Sequence, residues 1–291
     1  MITKKVTQLV AYELCYAILF FISLLPMKLL YGISSAIFYF SFYVVGYRRL
    51  VAIQNISRSF PEKKYTEIQH ITKKFYKHFA SYLVENIKAI SAPVDTLNQN
   101  LVFENIEILD QYISAGQDVI VCLGHCANWE VLNLMSSNTP HPVYAVYKPL
   151  KSPIIDSLMK RVRSRFGMRL ISDASVTRHI LSKKSGPAIY LFLADQCPSV
   201  LDNRYKFDFL HQETYFFSGM EKLARLNQSA VVYLHVTGLS RGGYYIKCKT
   251  ICQNAASTDA GEVTRKYAEL LAEGIRENPS SWLWTHRRWK K

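Results

Sequence analysis

Paired cysteines are missing from this chain. Its cysteines stand at 15, 122, 126, 197, 248 and 252, with no Cys-x-x-Cys among them. Neither a disulfide framework nor a zinc site is expected, and a reduced cytosolic setting fits. The Gly-x-Ser-x-Gly elbow of serine hydrolases is also absent. So are helix-turn-helix, zinc-finger and aromatic RNA-binding signatures, which weakens nucleic acid as a partner. No internal repeat or low-complexity tract occurs. Acidic residues are scarce, 22 against 36 Lys and Arg, for a formal charge of +14. The basic residues cluster at Lys63, Lys64, Lys73, Lys74 and Lys77, then at Lys160, Arg161, Arg163 and Arg165, and finally at Arg287, Arg288, Lys290 and Lys291. Such clusters attract anionic lipid head groups or acidic proteins, or simply solvate helix faces.

Charge nearly vanishes between Leu14 and Tyr47, where Lys28 is the only ionised side chain. The run from Leu29 to Tyr47 is about long enough to cross a hydrocarbon core, whereas the run before it is shorter and ends at Pro26. A cleaved signal peptide fits poorly, because aromatics crowd the segment and no small-residue cleavage site follows. Lys4 and Lys5 precede it and Arg48 and Arg49 follow, so charge does not orient it. A single span, a kinked hairpin, an interfacial helix pair and a buried core pair all satisfy the pattern. The expected division is a membrane anchor over residues 1–50 and a second domain over residues 51–291.

Beyond the anchor, residues 62–89 carry Ile68, Ile71, Phe75, Phe79, Leu83 and Ile87 at helical spacing. Strands are expected at 118–123, 142–147, 187–194, 230–237 and 243–252, and helices at 126–137, 153–166, 174–183, 216–227 and 260–277. This alternation predicts an α/β fold, a mostly parallel mixed sheet flanked by helices, with an antiparallel hairpin at Arg241-Gly242-Gly243. Ligands bind such sheets at the carboxyl ends of strands, where His125 and Asp195 fall.

The segment Val119-Ile-Val-Cys-Leu-Gly-His-Cys-Ala-Asn-Trp-Glu130 reads as a buried strand, a sharp turn and the start of a helix. Within one continuous helix, residues five apart diverge by roughly 140°. His125 and Glu130 therefore meet only if His125 precedes the helix, and Gly124 supplies the backbone freedom for that turn. A histidine with its carboxylate is a general base with a fixed tautomer. Asn128 lies between them. Cys126 as nucleophile is disfavoured, since neighbours at a turn point apart. Asp195 and Gln196 follow the apolar run at residues 188–192 and either contact a ligand or cap a turn. Arg161 and Arg165 share a helix face and suit a phosphate, an acidic carrier or an oxyanion. The terminal Trp282-Leu-Trp-Thr-His-Arg-Arg-Trp289 interleaves tryptophan with cations, as at a membrane interface or on a docked terminal helix. A hydrolase, a non-catalytic lipid-binding or nucleic-acid-binding protein, and a metalloenzyme using His125, Glu130, Asp195 and His211 are the competing readings.

His125-Cys-Ala-Asn-Trp-Glu130, the Asp195-Gln196 pair, the stretch from Phe209 through Gly219 to Ala224, and Trp282 to Trp289 together resemble the bacterial lipid A biosynthesis acyltransferases. These are the late acyltransferases of the lysophospholipid acyltransferase superfamily, and the motifs run in order along nearly the whole chain. The resemblance implies a glycerolipid-acyltransferase-like α/β fold and an inner-membrane enzyme working at the cytoplasmic face. It implies transfer of an acyl chain from an acyl carrier protein or CoA thioester to a hydroxyl of a lipid A precursor, without cofactor or metal. His125 and Glu130 would be the catalytic dyad, and Asn128, Arg165, Asp195 and Gln196 would bind substrate. The Phe209-Leu-His-Gln stretch departs from the family form, leaving an aminolipid or phospholipid as the alternative acceptor.

Overall fold

The computed structural model describes residues 2–182, 186–198, 205–240 and 242–289. Two apolar helices come first, α1 (Ile2–Ser23) and α2 (Met27–Tyr39), the latter prolonged by a π-turn at Phe40–Val44. They are followed by α3 (Arg49–Ser59), the long α4 (Tyr65–Lys88) and the short α5 (Val94–Asn98). Of the apolar stripe foreseen on α4, Ile68 and Phe75 are buried and Ile71, Phe79, Leu83 and Ile87 half-buried, while Thr72, Tyr76, Ala80 and Val84 complete the inward face. The segment Met27–Val44 is long and apolar enough to cross a membrane, by length and composition only.

The remainder is an α/β body. Its elements are β1 (Leu101–Glu104), α6 (Glu107–Ser114), β2 (Val119–Leu123), a 3₁₀ helix at Trp129–Ser137, β3 (Val143–Tyr147), α7 (Pro153–Arg163), β4 (Arg169–Ser172), α8 (Val176–Leu181) and β5 (Ile189–Leu193). The hairpin β6 (Tyr205–Phe209) and β7 (Gln212–Phe216), α9 (Gly219–Leu226), β8 (Ala230–Ser240), β9 (Gly243–Cys252) and α10 (Glu262–Glu277) complete it. The seven-stranded sheet has the order β1-β9-β8-β2-β5-β3-β4, and β8 and β9 make its one antiparallel pair. The α/β mixed sheet expected from alternation is therefore present.

Central β2 explains why the core has two halves. Its side chains alternate, so Val119, Val121 and Leu123 pack with Val232 and Leu234 on one face. Ile120 and Cys122 pack on the other with Tyr190, Phe192, Tyr233, Trp282 and Trp284. All five β2 residues are buried, the mark of a strand covered on both sides.

Departures from expectation have local causes. The helix expected at 126–137 is a 3₁₀ helix starting at Trp129, because residues 125–127 are drawn out to bond the C-terminal segment: Ala127 N–H donates to Ser281 O at 2.8 Å and His125 O accepts from Leu283 N–H at 3.1 Å. The helix expected at 216–227 begins only at Gly219, since β7 continues to Phe216. That hairpin turns on Leu210 and His211, both left-handed at φ 52° and 61°, the two-residue geometry that matches strand twist. Residue 183 of the expected helix 174–183, Arg241 of the β8–β9 turn, Ser199, Lys290 and Lys291 lie outside the described residues.

Two of the three terminal tryptophans belong to the core and Trp289 is half-buried. Trp282 and Trp284 are 2% and 0% exposed, and their rings meet edge to face at 4.8 Å. Asn55 on α3 donates to the carbonyls of Trp284 and His286, both at 2.9 Å. Arg288 is buried, donates to the Tyr215 carbonyl and covers the Phe216 ring at 4.9 Å. The segment is a staple from the C-terminus across the core, not a helix. Trp284→Ala is expected to cost about 3–5 kcal/mol, read as a lower midpoint in urea unfolding.

Candidate active site

His125 and Asp195 meet because of strand register. Leu123 ends β2 opposite Leu193 at the end of the neighbouring parallel strand β5, and each of the two residues lies two positions beyond its strand. The ring Nδ1 of His125 is 2.6 Å from Asp195 Oδ1, and the His125 backbone N–H donates to Asp195 Oδ2 at 2.9 Å. Trp282 Nε1–H donates to the same Oδ2 at 2.7 Å. Burial alone would raise the Asp195 carboxyl, but the His125 charge, its two hydrogen bonds and the Trp282 donor outweigh it and hold the group at about 2.

With an ionised Asp195 as acceptor, the Nδ1–H form of His125 is favoured and Nε2 is left with its lone pair. Gln196 Nε2 stands 3.3 Å from that Nε2. Trp129 packs edge-on against the imidazole at 4.8 Å between centroids, and Tyr82 backs Trp129 at 4.5 Å. Cys126 is fully buried, and burial pushes its thiol well above the ordinary value, so it is no nucleophile.

Gly124 serves a different purpose from the one expected. It lies outside the left-handed region; Ala127, at φ 50°, takes the left-handed turn. A Cβ on Gly124 would stand 2.5 Å from Leu271 Cδ1 and 3.4 Å from Asp195 Oδ2. Glycine is needed there for close approach.

Glu130 does not reach His125. It is buried and accepts from Arg163 Nε at 2.9 Å and Nη2 at 2.5 Å, with Asn133 Nδ2 adding a third bond at 3.2 Å. Although burial disfavours the Arg163 charge, this bidentate pairing raises its basicity overall. His125 bonds Asp195 and not the expected Glu130, whose carboxylate is taken by Arg163 and Asn133. Arg165 is likewise turned elsewhere. Its Nη1 donates to the carbonyls of Ala89 and Ala92, both at 2.7 Å, just past the end of α4, while Arg163 takes the place beside Glu130. α7 ends at Arg163, so Arg165 lies beyond it in the following turn and does not share a helix face with Arg161 as expected.

Asn128 faces a second polar centre. Its Nδ2 donates to Glu85 Oε2 at 3.0 Å, and that carboxyl is also bonded by Tyr244 and by Tyr31, the latter at 3.1 Å. Burial raises the Glu85 carboxyl despite these bonds. A cavity of about 260 Å³ adjoins it, lined among others by Tyr31, Glu85, Asn128, Glu130, Val131 and Phe166. Glu85 was not anticipated. Its signal was a carboxylate at an inward position of the α4 stripe.

A family model described as bacterial lipid A biosynthesis acyltransferase matches residues 3–291. The chain belongs to that family. No curated protein matches closely enough to count as a relative. Membership makes it an acyltransferase of lipid A biosynthesis, and the resemblance seen in the motifs is upheld over nearly the full length. Within this acyltransferase the motifs divide by task. His125 and Asp195 form a hydrogen-bonded pair at the strand ends and Trp282 buttresses it, whereas Glu221 of the third motif is structural. Fully buried, Glu221 accepts from Gly261 N at 2.5 Å and from Thr264 N at 2.8 Å, anchoring the start of α10. Among the described residues, no three His, Cys, Asp or Glu side chains cluster as metal ligands.

Proposed function

We propose that the protein transfers a fatty acyl chain from an acyl carrier protein thioester to a hydroxyl of a lipid A precursor at the cytoplasmic face of the inner membrane. His125 is the general base, and the observation that carries this is its Nδ1 contact with Asp195 at 2.6 Å. In this reading Asp195, rather than Glu130, orients the ring and stabilises the imidazolium. Nε2 removes the proton of the acceptor hydroxyl. The alkoxide attacks the thioester carbon, the C–O bond forms and the C–S bond breaks, and the proton passes from His125 to the departing thiolate. Gln196, beside Nε2, contacts the acceptor oxygen. The chain needs no acyl-enzyme, because Cys126 is buried and the hydroxyl of the substrate serves as nucleophile.

The cavity beside Asn128, whose lining does not include His125, is the seat offered for an apolar part of the substrate, with Asn128 and Glu85 as its polar wall. Arg165 takes no part in the step, since its guanidinium is engaged at Ala89 and Ala92. Glu130 serves by holding Arg163 in place. Residues 1–50 act as the membrane anchor and residues 51–291 as the catalytic domain.

The test incubates purified full-length protein with acyl-loaded carrier protein and a lipid A precursor, followed by mass spectrometry. The expected product is the precursor heavier by one acyl group. Release of free fatty acid in the presence of excess precursor would replace this reading with a hydrolase. Acylation of an aminolipid or phospholipid in preference to the precursor would replace the acceptor.

A further inference from the structure

We infer that the N-terminal helices bind an anionic bilayer in the plane of one leaflet and do not cross it. The candidate span is clamped along its whole length to α4. Tyr31 OH donates to Glu85 at 3.1 Å, and Ser34 Oγ lies 3.3 Å from Ser81 Oγ. Lys77 Nζ stands 5.7 Å from the Phe38 ring centre, Lys73 Nζ 5.8 Å from that of Tyr43, and Tyr76 OH donates to the Tyr47 carbonyl. Ascending positions on α2 and its π-turn thus meet descending positions on α4. The two run antiparallel, side by side.

A span in this arrangement would take α4 into the hydrocarbon with it. That helix carries Lys73, Lys74 and Lys77, all exposed, and such charges are expelled from a bilayer centre. Both ends of the segment are also tied to the same body. Lys88 Nζ donates to the carbonyls of Ser23 and Leu25 at 3.0 and 3.1 Å, and Arg48 beyond the far end donates to Thr285 O at 3.2 Å. Helix α1 is held as well: Arg161 of α7 covers the Tyr16 ring at 3.5 Å and donates to Tyr12 OH at 3.2 Å.

The opposite faces are apolar and uncovered. On α1 the stripe Val10, Leu14, Ile18 and Phe21 is 51–69% exposed, and on α2 with its π-turn Leu29, Ile33, Phe40 and Val44 are 38–73% exposed. Spacings of three and four place each set on one side of its helix. Large apolar area rimmed by Lys and Arg is the composition of an in-plane membrane helix, and the +14 charge selects anionic head groups. The Lys77 and Lys73 ammonium groups themselves sit over the Phe38 and Tyr43 rings, a cationic edge beside the apolar face.

Two measurements on the full chain test this. Lys28→Cys and Lys74→Cys, each in a background lacking Cys15, Cys197 and Cys252, are exposed to a membrane-impermeant maleimide in right-side-out and inverted membrane vesicles. Both sites are expected to react from the same side; reaction from opposite sides means that the chain crosses and overturns the inference. In the second, Lys73→Gln/Lys74→Gln/Lys77→Gln is expected to bind phosphatidylglycerol vesicles at least tenfold more weakly, at roughly fivefold per lysine, with binding to phosphatidylcholine unchanged. Equal loss on both lipids, or none, removes the anionic selectivity. Acyl transfer by this variant in detergent is expected to stay normal, so failure here is separable from failure of the catalytic reading.

Discussion

Asp195→Asn is expected to reduce acyl transfer by roughly 10²–10⁴, as far as His125→Ala does. An asparagine at 195 can present an N–H₂ to Nδ1, which favours the tautomer with its proton on Nε2, the wrong nitrogen for taking a proton from the acceptor. Because the two residues act as a unit, the double variant should be hardly worse than either single one. Initial rates with saturating carrier-protein donor measure this. A His125→Ala enzyme with near-normal turnover would dismiss the histidine, and a nearly normal Asp195→Asn enzyme would dismiss its partner. The same pair carries a pH signature in stability. The Asp195 carboxyl sits near 2 when folded against 3.8 otherwise, a depressed value. Its contribution is therefore present above about pH 4 and lost as pH falls towards 2. The gap in stability between the native chain and Asp195→Asn should close over that interval in acid unfolding.

The strand-end position of His125 was legible in the sequence and the carboxylate it bonds was not, for a reason that lies in the sheet. His125 stands at the mouth of an unbroken apolar strand, which local pattern reveals. Its neighbour is decided by which strand lies beside β2 and in what register, and the Leu123–Leu193 pairing joins segments 70 residues apart. Asp195 and Gln196 could be named as strand-end residues but not assigned to His125. The long helix α4 and the major strands were equally plain, because each shows its period over many residues. Short β1 and β4 were missed because four residues give no period to read, and the β6–β7 hairpin was missed although Tyr205-Lys-Phe-Asp-Phe209 alternates aromatic and charged residues. For Trp282 both a membrane interface and docking on the core stood open, for a different reason. Tryptophans among cations look alike whether they meet lipid or a core, and only the Asp195 carboxylate, distant in sequence, tells them apart.

Glu130, bonded to Arg163 and Asn133, shows why lost activity in a variant has to be read together with its stability. Glu130→Ala is expected to lower stability by about 3–5 kcal/mol, since it strands the Arg163 guanidinium in a largely buried site with its two charge-assisted bonds gone. Lost activity in that variant would then reflect disordered packing beneath Trp129 as readily as a missing dyad. Glu130→Leu/Arg163→Met removes both charges and keeps apolar volume, so it should recover most of the stability in urea unfolding. If turnover per folded molecule returns with it, the pair is scaffolding for the cavity wall. If stability returns while turnover stays down by a hundredfold or more, Arg163 meets the substrate, and the basic group at the end of α7 becomes the site for an anionic part of donor or acceptor. A Glu130→Gln enzyme that folds normally yet falls as far as His125→Ala would restore the glutamate as the partner of the base and count against Asp195.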